Sequence, residues 1–266
     1  MKWNLGATTR PWNRWTFEEA CGHIADAGYT DVAVFANADG HLLRSNAGAD
    51  EIAKTVEIAA KRNLKPSMLL SGPQLNADLE DAAKDYRRQV DVCAEAGVRY
   101  LMDCGCGDDL REKYIAVMRA VAPHAEAKGV ELQLKPHGGI GLNGGMLAQV
   151  HEEIGHPAFS ICYDPGNIIY YTAGGERPEP DVQKVAPRVG SFIVKDCVVQ
   201  NGRPDVWIKP GEGEVDFEAV LSALADAGFQ GPLYVECLGG DDLDEINANA
   251  RATFETLQQL KAKLAP

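Results

Sequence analysis

Residues 98–137 read VRYLMDCGCGDDLREKYIAVMRAVAPHAEAKGVELQLKPH. Val98 to Asp103 is a short apolar run of strand length. Asp109 to Lys128 follows with the apolar spacing of a helix, and Gly129 stands where a helix C-cap belongs. Val130 to His137 then repeats the strand pattern. Two strands joined by a long helix make a crossover unit, which requires that the strands run parallel.

Working outward, the same unit recurs in both directions. Leu5 lies in a first strand, and Thr16 caps a helix from Phe17 to Ala27, which Gly28 ends. Val32 to Phe35 is the second strand and Asp50 to Arg62 the second helix. Leu64 to Leu70 is the third strand and Ala77 to Ala96 the third helix. Downstream, Asn143 to Ile154 is helical, Phe159 to Asp164 is the sixth strand, and a Gly- and Pro-bearing crossover reaches Ala186. Val189 to Asp196 is the seventh strand, Asp216 to Ala227 the next helix, Leu233 to Cys237 the eighth strand, and Asp241 to Lys263 the closing helix. Strict alternation of eight strands with eight crossovers in 266 residues predicts an α/β fold, a single parallel (β/α)8 TIM barrel spanning residues 1–266 as one domain. An open doubly wound sheet would want a nucleotide-binding Gly-rich turn after the first strand, and Leu5-Gly6-Ala7-Thr8 is not one.

The formal net charge is −13, and the longest basic pair is Arg87-Arg88 within a helical stretch. Nucleic acid is therefore not an expected partner, because phosphate contacts need a basic face. The seven cysteines are scattered and odd in number, which argues against a disulfide framework. Met1-Lys2-Trp3-Asn4 opens no apolar leader, and no run of 18 apolar residues crosses a membrane. The expected setting is cytoplasmic and reducing.

Polar residues at the C-terminal ends of barrel strands need a reason, and catalysis is the usual one. Alternation sets Gln133, Lys135 and His137 on one face of the fifth strand. The sixth ends in Cys162-Tyr163-Asp164-Pro165-Gly166-Asn167, the seventh in Ile193-Val194-Lys195-Asp196, and the eighth in Val235-Glu236-Cys237. Lys135, His137, Asp164, Lys195 and Glu236 are thus expected to converge on one mouth. Each alone has a plainer reading as a rim ion pair or turn residue. Together on adjacent strands they are not accidental, because buried charge is costly without partners.

At these residues the chain resembles the sugar phosphate isomerase/epimerase family, the xylose isomerase-like barrels. The resemblance is carried by Cys162-Tyr163-Asp164-Pro165-Gly166-Asn167, Val194-Lys195-Asp196, Pro210-Gly211-Glu212-Gly213-Glu214-Val215-Asp216-Phe217 and Gly231-Pro232-Leu233-Tyr234-Val235-Glu236. It covers nearly the whole chain. It implies an enzyme of carbohydrate metabolism acting on a small sugar or sugar-derived substrate, with one divalent metal (Mn, Co, Mg or Zn) held by Glu, Asp, His and Glu. Asp164 and Glu236 match two of those ligands. Lys135 stands where the first Glu is usual and Ile193 where the His is usual.

Two arrangements follow. In one, Lys135 takes the place of the metal's charge between Asp164 and Glu236 and stabilises an oxyanion, or acts with a lowered pKa as base or Schiff-base lysine. In the other, Asp164, Glu236 and His137 hold a shifted metal. The expected catalytic residues are Glu236 as general base, Lys135 and Asp164. His137, Lys195, Trp12, Asn167 and Arg203 are the expected substrate contacts, with Trp207 beside Arg203 in a lid and Arg10, Arg14 or Arg44 meeting an anionic group. Cys104-Gly105-Cys106 is a further soft-metal candidate. The expected outcome is isomerisation or epimerisation through proton abstraction beside a carbonyl. A lyase or dehydratase, or a barrel that binds sugar without turnover, remains alternative, as does a homo-oligomer by fold-level analogy.

Overall fold

The computed structural model describes residues 3–264. Met1, Lys2, Ala265 and Pro266 lie outside the described residues, and with them the first part of the stretch read above as lacking a leader. The strands are β1 (Leu5–Thr8), β2 (Asp31–Val34), β3 (Lys65–Leu70), β4 (Tyr100–Asp103), β5 (Glu131–Leu134), β6 (Phe159–Tyr163) and β7 (Val189–Val194). A hairpin of β8 (Val198–Gln200) and β9 (Arg203–Asp205) follows, and then β10 (Leu233–Val235). β1 to β7 pair in chain order, and β10 closes the ring against β7 and β1 with every barrel pairing parallel. The expected eight-stranded TIM barrel is present.

The helices are α1 (Phe17–Asp26), α2 (Ala49–Lys61), α3 (Leu79–Glu95), α4 (Arg111–Lys128), α5 (Gly144–Ile154), α6 (Pro165–Tyr171), α7 (Pro178–Asp181), α8 (Phe217–Asp226) and α9 (Leu243–Lys263). Their starts follow local chemistry. Thr16 and Glu19 form a reciprocal capping box at α1, and Asn143, Asp216 and Asp242 each accept a first-turn N–H at α5, α8 and α9. Gly129 ends α4 in the left-handed region (φ 70°), which a residue without Cβ adopts freely. Among the described residues, no helix is long and apolar enough to cross a membrane.

The sixth crossover differs from a single helix. Pro165 starts α6 at once after β6, and Pro178 starts the one-turn α7, because proline suits the first helical position. The hairpin was also not expected. Asn201 (φ 53°) and Gly202 (φ 73°) both sit in the left-handed region, the geometry that an Asn-Gly pair gives a tight hairpin turn.

Strand parity divides the core in two. Outward side chains such as Val32, Leu69, Leu101, Leu132 and Ile161 join the large layer under the helices. Inward ones, Ala33, Met68, Met102, Cys162, Ile193 and Tyr234, fill the lumen as a separate cluster. The period of two then dictates what lies one layer higher: Phe35 above Ala33, Asp164 above Cys162, Lys195 above Ile193, and Glu236 above Tyr234. On β5, Gln133 occupies the lumen layer and Lys135 the one above. This places the site.

Candidate active site

Lys135, Asp164, Lys195 and Glu236 form a buried four-charge layer at the C-terminal mouth, each no more than 3% exposed. The Lys135 ammonium lies 2.6 Å from Glu236 Oε2 and 3.4 Å from Asp164 Oδ2. The Lys195 ammonium lies 2.6 Å from Glu236 Oε1 and 3.0 Å from the same Asp164 oxygen. The two cations and two anions balance, which is the condition for burying any of them. Asp164 also caps α6 by accepting the Asn167 N–H at 3.0 Å.

The donor count separates the lysines. An ammonium has three N–H groups. Lys195 faces three acceptors, Glu236, Asp164 and, at 3.2 Å, Asn167 Oδ1. Among the described residues Lys135 faces only Glu236 and Asp164, so one of its N–H groups has no acceptor there. Its ammonium also stands 5.9 Å from the Phe35 ring centroid.

Burial alone would pull the Lys135 ammonium below its ordinary 10.5, but Glu236 and Asp164 outweigh it and hold its pKa well above that value. Lys195 is raised for the same opposed reasons, burial set against Asp164 and Glu236. Both stay cationic, so the expectation of a lysine with lowered pKa acting as base or Schiff-base amine is corrected. Burial would raise Glu236, yet Lys135 and Lys195 hold its carboxyl well below the usual carboxylate range. With a lysine on each oxygen, Glu236 stands here as a salt-bridged counter-ion and not as a free carboxylate.

The same geometry decides the fit of a divalent metal. Ammonium groups fill the space between Asp164 and Glu236 that a cation would take, and Ile193 is fully buried in the lumen with no donor atom. Among the described residues, no group of three or more His, Cys, Asp or Glu side chains is arranged to hold a metal. Asp164, Glu236 and His137 therefore do not form the expected metal set. Cys104 and Cys106 are free thiols, and burial pushes both up to about 11, away from the thiolate that a soft metal needs.

Above the layer opens a cavity of about 390 Å³. Lys135, Lys195 and Glu236 line its floor, and His137, Tyr171 and Trp207 line its rim. His137 is exposed at the mouth, with the Tyr171 hydroxyl 2.8 Å from its Nε2. Partial burial, then the charges of Lys135 and Lys195, hold its imidazole below the ordinary 6.5.

The structure places Lys135, His137, Asp164, Lys195 and Glu236 at one mouth, with Asn167 beside them. Asn167 directs its amide to the protein, accepting from Lys195 and donating to the Pro136 carbonyl at 2.8 Å. Trp12 does not line the cavity: it is fully buried, stacks on His23 and donates its indole N–H to Asn247 at 2.9 Å. Arg203 is corrected too. It is exposed on β9 and lines a separate surface hollow, while Trp207 reaches the cavity. Tyr171 is absent from the sequence reading, and only its place at the end of the helix that Pro165 starts hints at it. Asp196 was read only as the neighbour of Lys195. It is fully buried and accepts the backbone N–H groups of Gly211, Gly213 and Val215, pinning the Gly-Glu-Gly-Glu loop.

A closed parallel barrel with charged residues at its C-terminal mouth has the architecture of a barrel enzyme. The sequence profile of the xylose isomerase-like TIM barrel family matches residues 21–261, and the chain belongs to that family. A 3-oxo-isoapionate decarboxylase from Pectobacterium atrosepticum is 25% identical over 164 residues, covering 58% of this chain and 57% of that protein. Inosose dehydratase 1 of Bacillus cereus is 25% identical over 130 residues, 42% of each. The chain thus spans less than two thirds of either relative. Among solved structures, a D-allulose 3-epimerase from Methylomonas sp. superposes with a TM-score of 0.78 at 17% identity, covering 97% of this chain and 98% of that one. A xylose isomerase domain protein from Planctomyces limnophilus gives 0.77 at 20% identity, covering 99% of both. At these identities the superpositions establish the fold.

Proposed function

We propose that this protein is an enzyme that breaks a bond next to the carbonyl of a small polyhydroxylated compound, with Lys135 as the cation that receives the developing enolate oxygen. The observation that carries this reading is the uncommitted N–H of a permanently charged lysine on the cavity floor. A fixed donor in a water-poor site stabilises an oxyanion more than it stabilises the neutral carbonyl, which is the condition for catalysis. Lys195, with its N–H groups engaged by Asp164, Glu236 and Asn167, positions the two carboxylates. Asp164 and Glu236 keep Lys135 in place and charged. His137, neutral at pH 7 and backed by Tyr171, is the group at the rim suited to move a proton on and off carbon. The outcome is then isomerisation or epimerisation, in keeping with the epimerase named among the solved structures.

A second reading is favoured by Glu236. Since its basicity is suppressed, a reaction that makes the enolate without removing a proton also fits. Loss of carbon dioxide from a 3-oxo acid does so, as the name of one curated relative indicates for that protein.

Turnover in deuterium oxide tests both. Ketoses, inososes and 3-oxo sugar acids are offered, and nuclear magnetic resonance follows deuterium at the carbon beside the carbonyl while carbon dioxide release is recorded. Label without carbon dioxide supports the proton-shift outcome, and label with stoichiometric carbon dioxide the second. Undiminished label in Lys135→Met would sink the assignment of Lys135.

A further inference from the structure

We propose that Arg10 is the receptor for a carboxylate on the substrate, so that the ligand is a polyhydroxylated oxo acid and not a neutral sugar. The inference rests on the reading of the lysine layer as the enolate site, and deepens it.

Arg10 follows β1 in a short 3-10 turn (Arg10–Trp12) and lines the same cavity as Lys135. Its guanidinium carbon stands 5.1 Å from the Trp207 ring centroid, so one face of the fork is held against an aromatic surface. The side chain is 43% exposed, but its Nε is buried and, among the described residues, has no hydrogen-bond partner. The nearest acid is Glu236 Oε1, at 3.9 Å, too far for a hydrogen bond and already occupied by Lys195 at 2.6 Å. A buried donor of a charged group without an acceptor is costly unless something else supplies one.

Charge counting points to what supplies it. Lys135 and Lys195 are balanced by Asp164 and Glu236. Asp205, the other acid at the cavity edge, is exposed and accepts the Trp207 N–H at 2.8 Å, and among the described residues it makes no ion pair with Arg10. Among the described residues, Arg10 is therefore the cavity cation that no carboxylate meets within hydrogen-bond distance. A carboxylate brings one negative charge and two coplanar oxygens, which match the edge of a guanidinium. A phosphate would bring a second negative charge beside Glu236, and a hydroxyl would leave the Arg10 charge unbalanced.

Calorimetric titration with D-gluconate, sorbitol and inorganic phosphate, on the wild-type chain, Arg10→Lys and Arg10→Ala, tests this without needing turnover. The expected result is that gluconate binds the wild type more tightly than phosphate and that its Kd rises at least tenfold in Arg10→Ala. Arg10→Lys should fall between, because it keeps charge but not the fork, and any sorbitol affinity should not change. Gluconate affinity in Arg10→Ala within threefold of wild type overturns the proposal. So does phosphate binding as tightly as gluconate, sorbitol weakening in parallel, or no gluconate binding to the wild type. The underlying reading fails separately, as undiminished turnover in Lys135→Met.

Discussion

Lys135 Nζ lies 2.6 Å from Glu236 Oε2, although 101 residues separate the two in the chain. Barrel closure brings them together, since only β6 and β7 stand between β5 and β10 on that side of the ring. The result is an ammonium built into the middle of a buried carboxylate pair, Glu236 on one side and Asp164 on the other.

That arrangement makes the layer an all-or-none unit. Removing one cation leaves buried negative charge uncompensated, which costs about 3–5 kcal/mol. Lys135→Met should lose that much stability in urea denaturation. Lys135→Met combined with Glu236→Leu should recover most of it, because an apolar pair of similar volume replaces an ion pair. Neither should turn over substrate. A Lys135→Met loss of less than about 1 kcal/mol, the range of a solvent-exposed pair, would show that the layer is not isolated from water.

The pH profile should be set by His137 and not by Lys135, Lys195 or Glu236. Glu236 is depressed below its ordinary 4.5, so its stabilising contribution is complete above that pH and fades as pH falls through the lower folded value. Lys135 and Lys195 are raised above 10.5, so theirs is complete below that pH and fades as pH rises through the higher folded values. Across the neutral range Lys135, Lys195 and Glu236 hold their protons constant. His137 titrates below 6.5, so kcat/KM should drop on the acid side in a limb below that value. Loss of most activity in His137→Gln, together with loss of the limb, is the expected outcome. An unchanged limb in that variant would assign the proton transfer elsewhere.

A second titration should appear in stability alone. Asp103, at the end of β4, is fully buried and pushed up to about 7 by burial, although the Gly105 N–H and the Tyr114 and Tyr86 hydroxyls favour its charged form. Its folded pKa lies above the unfolded value of 3.8. The contribution is therefore complete below 3.8 and is lost as pH rises toward and through 7. The urea midpoint of the wild type should fall between pH 5 and pH 8, and that of Asp103→Asn should fall less. Parallel slopes in the two proteins would remove Asp103 as the source.

Most of this was legible in the chain because the period of a strand is two. Once Ala33, Cys162 and Ile193 are read as lumen residues, Asp164 and Lys195 have nowhere to point but the mouth. Helix ends were legible where a cap is a local bond, as at Thr16 and Asn143. What could not be read were roles decided by contacts distant in sequence. Trp12 reads as a loop aromatic until α9 brings Asn247 to its indole. Arg203 and Trp207 read alike until the Asn201-Gly202 turn sends one outward and the other over Arg10. The basicity of Glu236 depends on two lysines, and sequence supplies their identities but not their distances.

Gly166 offers a test of how far positioning matters. A Cβ there would come within 2.7 Å of the Lys195 carbonyl oxygen and 2.8 Å of Lys195 Cγ, closer than real contacts allow. Gly166→Ala should therefore shift Lys195 while removing no functional group, at about 1–3 kcal/mol of stability, the usual cost of overpacking. Gly129→Ala is the comparison. It has open space around its Cβ but a left-handed backbone (φ 70°), so it should lose stability far from the mouth. If Lys195 holds Asp164 and Glu236 at the distances that keep Lys135 aimed into the cavity, Gly166→Ala lowers kcat well beyond any change in KM, whereas Gly129→Ala leaves kcat intact. Equal kcat in the two variants would mean that the layer tolerates movement of Lys195, and Lys135 would then hold its position through Glu236 and Asp164 alone.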